Sequence, residues 1–284
     1  ATPPIPFARA LQDLLEYPYG CVEQTTTRGY AALLLDGDTT LATATAPLTV
    51  QRPQPGWSEQ DPEDWWRATE RCLDELAATQ PRALAAVRGI GLSGQMHGAT
   101  LLDAGHAVLR PCILWNDGRS GAQCEQLESP ELALRRLTGN PAMAGFTAPK
   151  LLWVREHEPA VFAQTRRVLL PKDWLRLMLT GEAVSEMSDA AGTLWLDVGQ
   201  RDWSDVMLAA TGLARHHMPR LVEGSEVSAY VMSQLCERWG LPDPLPVAGG
   251  AGDNAASAVG MGLVRPGEGF VSLGTSGVVF VSGA

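Results

Sequence analysis

The chain has 284 residues, 45% of them hydrophobic, and a formal net charge of −10. It is long enough for one large α/β domain with further pieces, and no apolar run approaches the ~20 residues that span a bilayer, so it reads as a soluble globular protein. With 22 Lys and Arg against 32 Asp and Glu and no basic block, the footprint that nucleic-acid binding needs is missing. Five cysteines, Cys21, Cys72, Cys112, Cys124 and Cys236, make an odd number without metal-ligand spacing and read as free thiols of a reducing cytoplasm. No secretory leader is visible, so a cytoplasmic location is expected.

In chain order, short apolar runs alternate with amphipathic stretches, the pattern of a layered α/β protein. The first clear helix begins after Ser58. Asp61 can cap it, Pro62 suits its first turn, Glu63 and Asp64 complement its dipole, and Trp65, Trp66, Thr69, Cys72, Leu73 and Leu76 form its buried stripe. A strand is expected over Val87 to Leu92, ending in Ser93-Gly94. Two more follow, Ala99 to Asp103 and Ala107 to Trp115, joined by a turn at Ala104-Gly105-His106. Helical patterns occupy about 119–138, 148–163, 171–179, 202–212 and 226–239, with strands at Val168 to Leu170, Leu245 to Ala248 and Phe270 to Leu273.

Three strings carry candidate chemistry. AGGAGDNAASAVGMG, residues 248–262, closes a glycine-rich turn on Asp253 and opens a run that can start a helix. Glycine admits positive φ and close approach to the main chain, while the helix N-terminus stabilises a carboxylate or attracts a phosphate. An ordinary Asp cap is the alternative reading. QMHGA, residues 95–99, follows an expected strand, so Gln95, Met96 and His97 emerge at its carboxyl end, where α/β sheets bind ligands; His97 could donate to a polyol or sit in a satisfied turn. LWNDGRS, residues 114–120, sets Trp115 beside Asn116, Asp117 and Arg119, a combination that suits a sugar's apolar face and hydroxyls, or equally a capped turn.

Together with GWSEQDPEDWW (56–66), GFTAPKLLWV (145–154) and SDAAGTLWLDV (188–198), these strings resemble the bacterial xylulokinase branch of the FGGY carbohydrate kinases, almost continuously from residue 31 onward. The resemblance implies an actin-like, ribonuclease-H-like α/β fold, with 31–265 as the N-terminal, sugar-binding domain and 266–284 as the start of an ATP-binding domain of which most is lacking. It implies phosphorylation of D-xylulose by ATP with Mg²⁺, in an enzyme whose relatives are often homodimers; the alternatives are a catalytically silent sugar-binding fragment and a ribulose or glycerol kinase of the same family. Asp253 matches the family's catalytic base, and Met96 and His97 its sugar-contacting pair. Gln95, Trp115, Asn116, Asp117 and Asn254 correspond to pocket residues, and Gly274, Thr275 and Ser276 to the nucleotide-holding hairpin.

The family opens on a hairpin of the type DLGTSG, whose aspartate organises phosphates and metal. Here the stretch reads CVEQTTTRGYAALLLDG (21–37), with Gln24 in register with that aspartate and Glu23 one residue away. Residues 14–28 resemble instead the thioester segment of bacterial alpha-2-macroglobulins, in which Cys21 and Gln24 would be the bonded pair; without a shielding helical domain, 1–30 is read as a foreign segment with ordinary side chains.

Overall fold

The structure, a computed structural model, describes residues 29–36, 39–273 and 277–283. Cys21 and Gln24, with the rest of 1–28, and Gly274, Thr275 and Ser276 lie outside the described residues.

The described chain opens with an antiparallel hairpin, Gly29–Asp36 against Thr39–Pro47, whose Leu34, Ala44 and Ala46 are buried against the first helix. That helix, Pro62–Thr79, has the cap its sequence announces: an Asp61 side-chain oxygen accepts the Glu63 N–H at 3.0 Å. Trp65, Ala68, Thr69, Cys72 and Leu76 are buried along it, while Trp66 and Leu73 pack half-buried at the edge. Each fully buried large apolar side chain contributes about 1.5–3 kcal/mol, so this stripe holds the helix between the hairpin and Trp239.

Several expected elements are shorter or divided, and proline accounts for most of it. The strand expected over Ala107 to Trp115 is reduced to Cys112–Ile113, because Pro111 has no N–H for a ladder. The stretch 119–138 splits into helices Gly121–Leu127 and Leu134–Thr138 around Pro130, and 148–163 becomes Thr147–His157 and Pro159–Gln164 with the break before Pro159. Residues 226–239 begin as a strand, Val227–Tyr230, before the helix Ser233–Trp239. Asp202–Trp203 is likewise strand, and the helix there is Asp205–Ala210.

The pairing that places the site is parallel. Ser93–Gly94 runs beside Ala251–Gly252, and upstream Ile90 bridges Val247, so of the strand expected over Val87 to Leu92 only the Ile90 bridge appears, and regular pairing falls on the two residues that follow it. Glycine at 89, 91 and 94 weakens the ladder earlier. Between these pairings Gly249 and Gly250 leave the ladder and donate to Glu226 O at 2.8 Å and Gly224 O at 2.9 Å. Gly250 has φ +77°, and a Cβ there would stand 2.1 Å from the Leu92 carbonyl oxygen. Only glycine fits that crossing.

Among the described residues no helix is long and apolar enough to cross a membrane. Cys72, Cys112, Cys124 and Cys236 are free thiols.

Candidate active site

Parallel neighbours end on the same side of a sheet, so the segments following Gly94 and Gly252 leave together. The first carries Gln95, Met96 and His97; the second is Asp253, the first residue of the helix Asp253–Gly260. A cavity of about 170 Å³ opens there, lined by Met96, His97, Trp115, Met143, Gly145, Phe146 and Asp253. It is smaller than the ~300–1,000 Å³ of drug-sized sites, and Met96, Trp115, Met143 and Phe146 make it apolar around one imidazole and one carboxylate. A larger groove of about 460 Å³ runs past Leu48, Arg67, Arg71 and Arg238. Arg238 is already paired there with Glu70 and Asp74, so its charges largely satisfy one another.

His97 sits at φ +67°, in the left-handed region that few non-glycine residues adopt. The Gly98 N–H donates to Met96 O at 2.9 Å, which makes residues 96–98 a positive-φ γ-turn, a form that costs of order 1–3 kcal/mol. Three contacts hold it. Lys150 Nζ donates to the His97 carbonyl at 2.8 Å and Thr147 Oγ1 does so at 3.2 Å, while His97 Nδ1 lies 2.7 Å from Gly192 O. A carbonyl only accepts, so Nδ1 carries the proton and the neutral ring offers Nε2 as an acceptor. Burial, with the Lys150 charge behind it, lowers the His97 pKa to about 4, against the opposing pull of the Gly192 bond. At neutral pH the ring is therefore an acceptor at Nε2, where the sequence suggested a donor. The approach is close: a Cβ on Gly192 would stand 2.5 Å from His97 Cε1.

Asp253 is 3% exposed. One of its oxygens accepts the Asn254 N–H at 2.8 Å and the Asn254 side-chain amide at 3.3 Å, so Asn254 acts on Asp253 and is absent from the cavity lining. The Gly252 N–H donates to Ser188 Oγ at 3.2 Å, and that hydroxyl donates to Glu186 at 2.9 Å. Beneath the turn lies a fully buried ionic cluster of Lys172, Asp173, Arg176 and Asp189 with Glu186. Lys172 Nζ is 2.7 Å from Asp173, 3.4 Å from Asp189 and 3.7 Å from Glu186. Arg176 donates to the carbonyls of Ala248 and Gly249 at 2.6 and 2.5 Å, which fixes the glycine turn from behind. Burial pushes the Asp189 carboxyl well up, Lys172 opposes this, and Asp173, Glu186 and Asp253 add to it.

The WNDGRS loop divides. Trp115 lines the cavity. Asn116 is exposed, and Asp117 is buried with both oxygens engaged, one with the Ser58 N–H at 2.5 Å and both with the Arg119 guanidinium at 2.9 and 2.7 Å. Arg119 also stacks 3.7 Å over the Trp57 ring. Asp117 thus braces the loop, and neither it nor Asn116 is among the residues lining the cavity. Gln95 is buried as well, its amide donating to Gln60 at 3.2 Å. Lys150, Arg176, Phe146 and Met143 were missed from sequence. The signal for Lys150 was available: residues 147–154 are apolar save for it and Thr147, and every one is buried, so a charge there must find partners.

The model of the FGGY family of carbohydrate kinases, N-terminal domain, matches residues 19–260. The chain belongs to that family. Among FGGY relatives, a xylulose kinase of Klebsiella pneumoniae is 56% identical over 255 residues, which cover 89% of this chain and 52% of that protein. Two solved structures agree: a xyloylose kinase from Brucella ovis superposes with a TM-score of 0.87 at 56% identity, covering 90% of this chain and 53% of that one. A xylulose kinase from Rhodospirillum rubrum gives 0.84 at 33% identity, covering 88% and 53%. The fold is the actin-like, ribonuclease-H-like α/β fold. The chain spans about half the length of the curated relatives it matches.

Proposed function

We propose that the cavity between the Met96–His97 turn and Asp253 holds a pentulose, D-xylulose, and that the reaction is transfer of the γ-phosphoryl group of ATP to its terminal hydroxyl, giving D-xylulose 5-phosphate and ADP. The carrying observation is the parallel pairing of Ser93–Gly94 with Ala251–Gly252, which brings a carboxylate and a neutral imidazole to one small apolar cavity. The relatives named above act on xylulose, and their identity to this chain supports the same substrate.

In this reading the apolar faces of Trp115, Met96 and Phe146 cover the C–H face of the sugar and exclude water. His97 Nε2 accepts a hydrogen bond from a sugar hydroxyl, so a compound lacking that hydroxyl leaves a buried acceptor unpaired. Asp253 accepts the proton of the terminal hydroxyl as its oxygen attacks the γ-phosphorus, and the bond to the ADP oxygen breaks in line. Magnesium would neutralise phosphate charge. Among the described residues no group of three or more His, Cys, Asp or Glu side chains is arranged to hold a metal ion, so no step here is assigned to it. Calorimetric titration of D-xylulose into the 284-residue chain tests the reading: saturable 1:1 binding that His97→Ala weakens by about tenfold or more is expected, and an absence of binding heat at any temperature refutes it.

A further inference from the structure

We propose that Lys150 is a positioning residue that latches both walls of this cavity, fixing the strained His97 turn and the Gly145 turn at one separation. Its ammonium reaches the His97 carbonyl at 2.8 Å and the Gly145 carbonyl at 2.7 Å. These residues are far apart in the chain, and both line the cavity. Lys150 is 0% exposed and sits in the first turns of the helix Thr147–His157, where the dipole disfavours a cation. A buried cation in that place needs compensation, and among the described residues no carboxylate lies at ion-pair distance from it; the two carbonyls supply the partners. Thr147 Oγ1, from the same helix, adds a second bond to the His97 carbonyl. The helix therefore holds a γ-turn that would otherwise relax, and with it the direction of the imidazole. The groups that feel the Lys150 charge are Cys112, Asp117, Arg119 and His97, and burial, the largest influence, brings its pKa down to about 7.

The consequence for ligand binding rests on reading the cavity as a sugar site; the latch itself does not. The test compares the chain with its Lys150→Met variant, which keeps the apolar stem, by NMR of the His97 imidazole nitrogens and the Gly98 amide, and by calorimetry with D-xylulose. A folded variant whose His97 and Gly98 signals move and whose affinity falls by about tenfold or more upholds the proposal. A folded variant with both signals at their original positions overturns it. Should the variant not fold, the unaltered chain is titrated from about pH 6 to pH 9, the window around the Lys150 pKa of about 7. Nζ of Lys150 and the carbonyl carbons of His97 and Gly145 should then follow one curve, and carbonyl signals that ignore that curve overturn the latch. If the unaltered chain binds no D-xylulose, the sugar reading fails, while the His97 and Gly98 signals still decide for or against the latch.

Discussion

His97 makes stability depend on pH in a direction opposite to that of an ion-paired histidine. Its Nδ1 is committed to Gly192 O, Phe146 packs edge-on at 4.7 Å, and burial first and Lys150 second hold its pKa at about 4. An exposed histidine in the unfolded chain titrates near 6.5. Between these values the unfolded chain binds the proton and the folded chain does not, so stability falls as pH drops from about 6.5 to about 4 and His97 adds no slope outside that window. A gap of about 2.5 pH units, at ~1.36 kcal/mol each, is worth ~3.4 kcal/mol. Urea unfolding followed by tryptophan fluorescence at half-unit steps, for the chain and for His97→Gln, isolates this slope. The two stability curves should converge on acidification, by about 3 kcal/mol at pH 4. Curves that stay parallel through the window would refute the reasoning.

Three other outcomes follow from the same contacts. Gly250→Ala places a Cβ 2.1 Å from a main-chain oxygen at φ +77°; it should cost about 3 kcal/mol or more and lower the Tm by roughly 6 °C or more, read by calorimetric melting. Gly192→Ala meets no backbone objection, since φ there is −75°, but its methyl overlaps the buried His97 ring; the variant should lose about 1–3 kcal/mol while D-xylulose affinity falls by about tenfold, and unchanged affinity would remove the close contact from the account. Arg176→Met leaves Lys172 as the one cation among the three buried carboxylates Asp173, Glu186 and Asp189 and strips two turn carbonyls of their donor, and should destabilise the chain by about 3–5 kcal/mol in urea; a loss below about 1 kcal/mol would show the Arg176 contacts to be dispensable.

Much of this arrangement was legible in the residues where the signal is local. Asp61, Pro62 and the stripe from Trp65 to Leu76 define the first helix within one short string, and AGGAGD announces a crossing that only glycine can make. The strand boundaries were less legible, because Ser93–Gly94 acquires its partner from Ala251–Gly252, far along the chain, and glycine-bearing two-residue strands carry no period. The polar loop was harder still. In WNDGRS a carboxylate aimed at a sugar and one braced by Arg119 and the Ser58 N–H look alike, since the deciding donor lies 59 residues away. The buried cluster around Lys172 was invisible for the same reason: the helix Pro171–Thr180 looks amphipathic, and only the approach of Glu186 and Asp189 shows why its charged residues turn inward.

The central claim is that Asp253 faces the hydroxyl that is phosphorylated while His97 Nε2 accepts from another hydroxyl of the same sugar. A crystal structure of the chain soaked with D-xylulose reads both distances at once. The account predicts the terminal hydroxyl oxygen about 2.6–3.2 Å from an Asp253 carboxylate oxygen with the imidazole still bonded to Gly192 O. A sugar bound with that hydroxyl turned away from Asp253, or bound outside the cavity, would contradict it.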